Sequence, residues 1–419
     1  MSELHELCYL KDRPITEAKY VCKLKEYLKK GIPSTYTIED AYTQEHALEG
    51  PESKSTTTPL HLICESIPED ATEAEKEAIL SMIDELFLNG AGWCLTNGND
   101  ETPGCVLLRR GLHGSSYWNR MVDAGVRAEL LFRKLEDPNV EFLEYPEREE
   151  EEEEEIPDLV ETVEEMEEAS NKKAKQDEPT VRDVGIDDPS SSTSTYLKTK
   201  LKYQEGSLVT DKRGDGVMMQ WEEKLMQAGC DSLFRGIDNP DEATILNLGF
   251  GMGIIDSMIE EKHPTKHYIC EAHPDVLKKM QQDGWMDKDN VVVLKGKWQD
   301  TIPPLLSKGV FFDGIYYDTY SEHYEDMLQL FDLVVGLLKP DGTFSFFNGL
   351  GADRLVCYEV YKKVVDIDLS NYGLSVKFSE IEPPQGALHD EKATDSVWKG
   401  IKRAYWRCPI YYHPEVFFA

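Results

Sequence analysis

From about Tyr196 to the C-terminus, short apolar runs alternate with segments whose apolar residues recur at helical spacing. The runs that predict strands are ATILNLGF, KHYICEAH, NVVVLKG, GVFFDGIYYDTY and GTFSFFNGL. Between them, GIIDSMIEEK, PDVLKKMQQDGW, EDMLQLFDLVVGLL and residues 353–365 predict helices. Near-continuous apolar strands separated by helices predict an α/β fold with a mainly parallel sheet. Two more strand-like runs, LSVKFSEIE and KRAYWRCPIYYHPEVFF, follow the last helix and predict an antiparallel edge.

The N-terminal third of the chain has a different, wholly helical pattern. Residues 56–67 read TTTPLHLICESI, apolar positions at helical spacing follow between residues 79 and 87, and a T-P pair recurs at residue 102. T-P-L-H resembles the ankyrin signature, in which a tight turn leads into a helix that packs on the next repeat. We therefore predict an all-α domain of ankyrin-like repeats over residues 1–145, with residues 4–30 as capping helices. Its role is either recognition of a protein partner or that of an appendage packed on the second domain.

An acidic segment separates these two patterns. Residues 149–155 are an unbroken glutamate run, and acidic and polar residues continue to about residue 194. Such a composition cannot bury enough apolar surface to offset the entropy lost on ordering. We therefore predict a disordered acidic linker over residues 146–194, followed by the second domain over residues 195–419.

The charge of the chain limits its partners. The 419 residues include 80 acidic and 45 basic side chains, which gives a formal net charge of -35. A chain this acidic repels phosphate backbones, so direct nucleic-acid binding is not expected. It attracts basic proteins, although a chain that is acidic only for solubility would have the same net charge.

Cysteines and histidines suggest no metal site. Nine cysteines are scattered without a C-x-x-C pair, which is typical of reduced thiols in a cytoplasmic or nuclear protein. His263, His267 and His323 lack metal-ligand spacing, and we expect them on the surface or in loops. No apolar leader and no run of 18 apolar residues is present, so we predict neither secretion nor a membrane span.

The stretch LNLGFGMGIIDSM, residues 246–258, predicts a nucleotide site. Its three glycines allow a tight turn between a strand and a helix, where open α/β sheets bind nucleotides. The pattern is G-x-G-x-G, with Ile254 where dinucleotide sites usually carry a third glycine. Glu271 ends the next predicted strand and could accept both ribose hydroxyls of either NAD or S-adenosylmethionine. A dehydrogenase and a methyltransferase both remain open at this point.

Three further segments bear on the choice between them. GVMMQWEEKLM precedes the glycine strand and carries Glu222, and LKGKWQD places Trp298 and Gln299 where an adenine could stack. FDGIYYDTY puts Asp318 at the carboxyl end of its strand, where open α/β sheets hold reacting groups.

These segments together resemble the guanidinoacetate N-methyltransferases. The matching phrases are VMMQWE, LNLGFGM, YICEAHPDV, LKGKWQD, FDGIYYDTY and LLKPDGTFSFFN, in order from about Tyr196 to the C-terminus. That family lacks the ankyrin-like domain and the acidic linker. With both included, the chain resembles the fungal protein arginine N5-methyltransferases, the arginine N-methyltransferase 2 or type IV family. The resemblance implies a Rossmann-like class I S-adenosylmethionine-dependent methyltransferase that monomethylates the δ-nitrogen of arginine in a basic, ribosomal protein.

The same resemblance implies residue roles. Glu222 and Asp318 would bind the guanidinium and take up a proton. Asn348 and Gly349 would lie beside the substrate, in a loop (FNGLG) that is richer in glycine than in the small-molecule enzymes and compatible with a larger substrate. The cofactor residues implied are Tyr196, Met218, Met226, Phe250, Gly251, Met252, Gly253, Ile254, Ile255, Glu271, Ala272, His273, Trp298, Gln299 and Asp318.

Two alternative functions remain open. A methyltransferase for small guanidino acids would turn over guanidinoacetate without any protein. A non-catalytic ankyrin adaptor would use the second domain only as a scaffold. The presence of Glu222, Glu271 and Asp318 argues against the adaptor, because a scaffold has no need of all three.

Overall fold

The structure is a computed structural model that describes residues 2–46, 57–136, 188–388 and 396–419. In the first two of these ranges every regular element is a helix. The helices are α1 (Glu3–Cys8), α2 (Cys22–Lys29, preceded by a π-helical turn at Glu17–Val21), α3 (Ile38–His46), α4 (Pro59–Ser66), α5 (Glu73–Leu88), α6 (Pro103–Arg109) and α7 (Ser116–Glu136).

Two of these helices begin with the same T-P pair. Thr58 and Thr102 are the N-cap residues of α4 and α6, and in both helices a proline follows where its missing N–H costs nothing. Thr102 Oγ1 accepts a hydrogen bond from the backbone N–H of Cys105 at 3.2 Å. Helix α4 packs on α6 and α5 packs on α7, whereas α1 contacts α4 and α2 contacts α5.

The second domain combines a small sheet with a large one. Its helices are α8 (Thr193–Tyr196), α9 (Glu223–Leu233), α10 (Ile254–Glu261), α11 (Pro274–Gln282), α12 (Trp298–Thr301), α13 (Pro303–Ser307), α14 (Tyr324–Leu337) and α15 (Leu355–Asn371). Its strands are β1 (Leu201–Gln204), β2 (Ser207–Thr210), β3 (Gly216–Met219), β4 (Thr244–Leu248), β5 (Lys266–Glu271), β6 (Val291–Lys295), β7 (Phe312–Tyr317), β8 (Leu338–Phe346), β9 (Leu374–Ile381) and β10 (Tyr411–Phe418).

The large sheet confirms the predicted α/β architecture. Its strand order is β6-β5-β4-β7-β8-β10-β9. Strands β4 to β8 pair in parallel, and β10 runs antiparallel to both β8 and β9. The fold is therefore Rossmann-like, with the antiparallel edge that the terminal strand pair predicts. The order reverses between β4 and β7, and in such sheets the ligand crevice lies at the carboxyl ends of those strands.

Two features of this domain differ from the sequence prediction. Strands β1 to β3 form a separate antiparallel sheet that the apolar pattern did not predict, because each strand has only four residues. The final strand begins at Tyr411 rather than at Lys402, since residues 402–410 form an irregular segment before it.

Residues 146–187 of the predicted linker lie outside the described residues. Residues 188–194, the last part of that prediction, are folded onto the second domain. The Asp188 carboxylate pairs with Arg213 at 2.9 Å and with Arg403 at 3.1 Å. This ion-pair cluster explains why the folded domain begins earlier than composition alone suggests.

One histidine prediction was wrong. His263 and His323 are exposed, as expected, but His267 is fully buried in β5. Its ring nitrogens lie 3.2 Å from Asp256 and 3.0 Å from Glu260. A buried imidazole needs such polar partners, and spacing along the sequence does not reveal them.

The N-terminal domain packs directly on α15 of the second domain. Two glycines allow the close approach. A Cβ added to Gly104 in α6 would lie 2.8 Å from Val356, and one added to Gly125 in α7 would lie 2.5 Å from Val360. Both domains contribute to one continuous cluster of buried apolar side chains.

Polar contacts tie the same interface. The indole N–H of Trp118 donates to Glu359 at 2.7 Å, and Arg133 pairs with Asp368 at 2.7 Å. The contact therefore has a specific, hydrogen-bonded geometry in addition to its apolar area.

All nine cysteines are free thiols. Within the described ranges, no helix is both long enough and apolar enough to cross a membrane.

Candidate active site

A cavity of about 690 Å³ opens at the carboxyl ends of β4, β5, β7 and β8. Of the residues proposed from the sequence, those that line it are Tyr196, Met218, Glu222, Gly251, Glu271, Ala272, Trp298, Asp318 and Gly349. Those that do not line it are Met226, Phe250, Met252, Gly253, Ile254, Ile255, His273, Gln299 and Asn348. The structure thus brings the three carboxylates singled out from the sequence into one cavity.

The glycine turn is fixed by the ends of its neighbouring strands. Gly249 has a φ of +95°, and an added Cβ would lie 1.9 Å from the backbone oxygen of Asp318. The backbone N–H of Asp318 donates to Leu248 at 2.8 Å, and that of Gly249 donates to Cys270 at 2.9 Å. Only glycine allows the ends of β4 and β7 to approach this closely, so the turn and Asp318 are positioned together.

Glu271 joins the glycine turn to the end of β5. Its carboxylate accepts the backbone N–H groups of Phe250 at 3.0 Å and His273 at 2.6 Å. Burial raises the pKa of Glu271, although these hydrogen bonds oppose the rise. Glu271 also lines the cavity, so its carboxylate lies where it could meet the ribose hydroxyls of a bound nucleotide.

Glu322 organises the wall that contains Trp298. Its carboxylate accepts hydrogen bonds from the Trp298 indole at 2.9 Å and the Gln299 amide at 3.1 Å. It also accepts from the hydroxyls of Tyr317 and Thr319, each at 2.6 Å. The side-chain amide of Gln299 is therefore held by Glu322, and Gln299 does not line the cavity. Sequence analysis missed Glu322, for which the only signal is a carboxylate shortly after the strand end.

The small sheet and α8 close over the glycine turn. The Tyr203 hydroxyl donates to the backbone oxygen of Gly251 at 2.8 Å, and Met218 Sδ accepts from the backbone N–H of Met252 at 3.1 Å. The rings of Tyr196 and His273 are 4.8 Å apart. These contacts make β1 to β3 part of the site, and Tyr203 is a second residue that sequence analysis missed.

Glu222 and Asp318 form the acidic part of the cavity. Glu222 is 3 % exposed and lies in the turn between β3 and α9, where its Oε1 accepts a hydrogen bond from the Tyr405 hydroxyl. Asp318 Oδ2 is buried and accepts no hydrogen bond from any residue in the described ranges. A buried carboxylate oxygen without a partner is suited to a donor supplied by a ligand.

Both carboxyl groups have raised pKa values. Burial raises the pKa of Asp318 to about 7, and the charge of Asp256 adds to the rise. Burial, followed by the charge of Asp318, raises the pKa of Glu222 well above its usual range, against the hydrogen bond from Tyr405. Two neighbouring acids that are poorly solvated ionise together most readily when a cation lies beside them.

Two of the residues outside the cavity wall have structural contacts instead. Met226 is fully buried in α9, and its Sδ lies 3.5 Å from the Tyr316 hydroxyl. The Asn348 side chain donates to the backbone oxygen of Tyr412 at 3.0 Å, and its backbone oxygen accepts from the Tyr358 hydroxyl at 3.0 Å. Asn348 thereby anchors the loop that brings Gly349 to the cavity.

Comparison with known proteins finds methyltransferases both for the second domain and for the full-length chain. The sequence profile of the guanidinoacetate N-methyltransferase family matches residues 188–364. Protein arginine N-methyltransferase 2 of Debaryomyces hansenii is 57% identical over 433 residues, covering 100% of this chain and 99% of that protein. The Saccharomyces cerevisiae protein of the same name is 46% identical over 435 residues, covering 100% of each.

Solved structures with very different sequences also align with this chain. Precorrin-6y C5,15-methyltransferase from Geobacter metallireducens covers 52% of this chain and 95% of its own, at 13% identity and a TM-score of 0.34. An S-adenosylhomocysteine-bound methyltransferase of Podospora anserina covers 48% of this chain and 80% of its own, at 11% identity and a TM-score of 0.32.

The cavity fits S-adenosylmethionine, which is the cofactor of this class of enzyme. The positive φ values of Gly249 and Gly251 open the backbone of the turn to the cavity, Glu271 can hold a ribose, and Trp298 offers an aromatic wall. Identity over the full length of the relatives extends the match to the N-terminal domain. The chain belongs to the protein arginine N-methyltransferase 2 family, whose methyl donor is S-adenosylmethionine.

Proposed function

We propose that this protein transfers a methyl group to the δ-nitrogen (N5) of an arginine side chain in a basic, ribosomal protein. The observation that carries the proposal is the pair of carboxyl groups of buried Glu222 and partly buried Asp318, in the same cavity as the glycine turn. A guanidinium cation provides the charge and the N–H donors that such a pair lacks. It would fill the hydrogen-bonding capacity of Asp318 Oδ2.

The proposed roles follow from the charge balance of the reaction. S-adenosylmethionine supplies a methyl group on a positively charged sulfur, and the electron pair of the broken S–C bond stays on sulfur. The guanidinium δ-nitrogen forms the new N–C bond and must lose its proton, so that the product carries a single positive charge. Asp318 accepts that proton, while Glu222 holds the terminal N–H groups through paired hydrogen bonds. Orientation in a dry cavity contributes much of the rate.

The choice of nitrogen follows from the chemistry of the guanidinoacetate enzymes. Guanidinoacetate is methylated on the nitrogen that bears its carbon chain, and the corresponding atom of peptidyl arginine is the δ-nitrogen. The profile match over residues 188–364 and the names of the full-length relatives support an arginine substrate of this kind. The net charge of -35 favours a basic protein as its source.

The proposal includes the N-terminal domain. We infer that its helix pairs are ankyrin-like repeats that bind a protein partner, in an enzyme of the cytoplasm and nucleus. The equivalent starts of α4 and α6, each at a T-P pair, support this reading. Packing on α15 means that the domain is also an appendage of the second domain, and the two roles are compatible.

The decisive experiment uses tritiated S-adenosylmethionine with a ribosomal protein fraction, and guanidinoacetate in parallel. We expect label in protein, and amino-acid analysis should locate it on δ-N-methylarginine. Label in creatine alone would instead establish the small-molecule function that the profile match also favours. Cofactor binding without label in either product would establish a scaffold.

The raised pKa of Asp318 predicts how the reaction depends on pH. Below its pKa of about 7 the carboxyl group is neutral, so it cannot pair with a guanidinium or accept a proton. We expect kcat/KM to fall at least about tenfold for each pH unit below that value. Initial rates at low substrate concentration would measure this profile, with cofactor binding measured separately at each pH. A flat profile between about pH 5.5 and 8 would contradict the assignment.

A further inference from the structure

One residue of the N-terminal domain lies in the wall of the catalytic cavity. Asp100 belongs to the loop Asn97–Glu101 between α5 and α6, and it lines the cavity together with the loop that follows β8. Among the described residues, the lining contains seven acidic and four basic side chains. The cavity therefore extends across the boundary between the two domains.

The loop that carries Asp100 is held in a defined conformation. Asn97 Oδ1 accepts the backbone N–H groups of Asn99 at 2.9 Å and Glu101 at 3.0 Å, and Asp100 has a φ of +58°. His61 Nε2 lies 3.0 Å from the backbone oxygen of Glu101. His61 is the histidine of the T-P-L-H motif, so this motif fixes the position of a cavity residue.

Arg354 connects the loop to the second domain. Its guanidinium contacts Asp100 Oδ2 at 3.0 Å and Asp353 Oδ2 at 3.0 Å. Two carboxylates share one guanidinium, so the three side chains together carry a net charge of -1. Arg354 is largely buried, whereas the side chains of Asp100 and Asp353 are 49 % and 56 % exposed. The exposed part of this group is therefore negative.

We propose that Asp100 and Asp353 form a subsite at the mouth of the cavity for a lysine or arginine that neighbours the target arginine. The inference rests on the proposed function. When the target δ-nitrogen reaches Asp318, whose Oδ2 is buried, the adjacent polypeptide stays on the exposed side of the cavity, where Asp100 and Asp353 are about half exposed. A basic side chain near the target arginine would meet the exposed carboxylates of Asp100 and Asp353 there. The N-terminal domain thus determines which arginines are methylated.

The test compares Asp100→Asn with a matched variant of the same interface, Asp123→Asn. Asp123 pairs with Lys363 of α15 at 2.9 Å but does not line the cavity. Substrates are two peptides with one arginine each, flanked by lysine in one and by glutamine in the other, together with the ribosomal protein fraction and guanidinoacetate. Thermal unfolding of both variants checks that each is folded.

We expect the wild-type protein to prefer the lysine-flanked peptide about fivefold in kcat/KM, as a partly exposed ion pair allows. Asp100→Asn should remove the preference through KM and slow methylation of the ribosomal fraction. Asp123→Asn should keep the preference, and salt should weaken it in the wild type.

Four outcomes would overturn the inference. If Asp100→Asn kept the preference for the lysine-flanked peptide, or methylated the ribosomal fraction at the wild-type rate, Asp100 would not contribute to substrate recognition. Loss in both variants would show that only the integrity of the interface matters. If the wild-type protein labelled guanidinoacetate but no peptide or protein, the proposed function itself would fail, and this inference with it.

Discussion

Replacing Asp318 with asparagine is expected to lower kcat/KM for methylation by about 10² to 10⁴-fold. The substitution keeps the size of the side chain but removes both its negative charge and its ability to accept a proton. The δ-nitrogen would then have to lose its proton without a base, and the guanidinium would lose one of its two carboxylate partners. Initial rates with labelled S-adenosylmethionine measure the effect.

Measuring cofactor binding distinguishes loss of this catalytic role from a structural disruption of the whole site. Glu271 and the backbone of the glycine turn are unchanged in Asp318→Asn, so S-adenosylmethionine should still bind, with a Kd within about tenfold of wild type. Glu222→Gln should also lower the rate. The double variant should be little slower than the slower of the two single variants, because the two groups act on one cation.

Glu223→Gln is the matched control, since Glu223 is exposed and bonded to Gln220. An Asp318→Asn enzyme that kept more than about a tenth of wild-type activity would refute the assignment.

The sequence was sufficient to locate the centre of this cavity. Gly249 and Asp318 each follow a recognisable apolar strand and Glu271 ends one, and the carboxyl ends of parallel strands meet at one edge of the sheet. Glu222 needed the family resemblance, because no periodicity marks a turn residue before α9 as part of a site.

Contacts between distant parts of the chain could not be predicted in this way. Tyr405 bonds Glu222 from 183 residues away, and it lies in the irregular segment that precedes β10. Asn348 and Met226 match the family pattern, but neighbouring tertiary contacts direct their side chains away from the cavity. The acid Glu322 is recognisable only from the four donors that converge on it.

The sequence pattern also could not predict how the two domains pack against each other. The T-P-L-H motif predicts a helix start, but nothing in it indicates that His61 supports a loop at the catalytic cavity. Gly104 and Gly125 lie within helices, where glycine is intrinsically unfavourable, and only the packing of α6 and α7 against α15 explains them.

Gly249→Ala is expected to be the most disruptive small substitution in the glycine turn. Alanine at a φ of +95° is strained, and its Cβ would lie 1.9 Å from the oxygen and 2.8 Å from the carbonyl carbon of Asp318. These are backbone atoms, and the hydrogen bond from Asp318 to Leu248 holds them in place. Either the turn or the end of β7 must move, so we expect the free energy of unfolding to fall by about 3 kcal/mol or more.

Gly284→Ala is the control that measures the cost of backbone strain without a steric clash. Gly284 has a φ of +78°, close to that of Gly249, but an added Cβ would meet nothing within 4 Å. We therefore expect it to lower the free energy of unfolding by only about 1 to 2 kcal/mol and to leave methylation unchanged. Gly249→Ala should instead lose cofactor binding and activity even at temperatures where it remains folded, because the turn can no longer lie against Asp318. Equal losses of stability in the two variants, with cofactor affinity retained in both, would mean that the close approach of β4 and β7 does not shape the site.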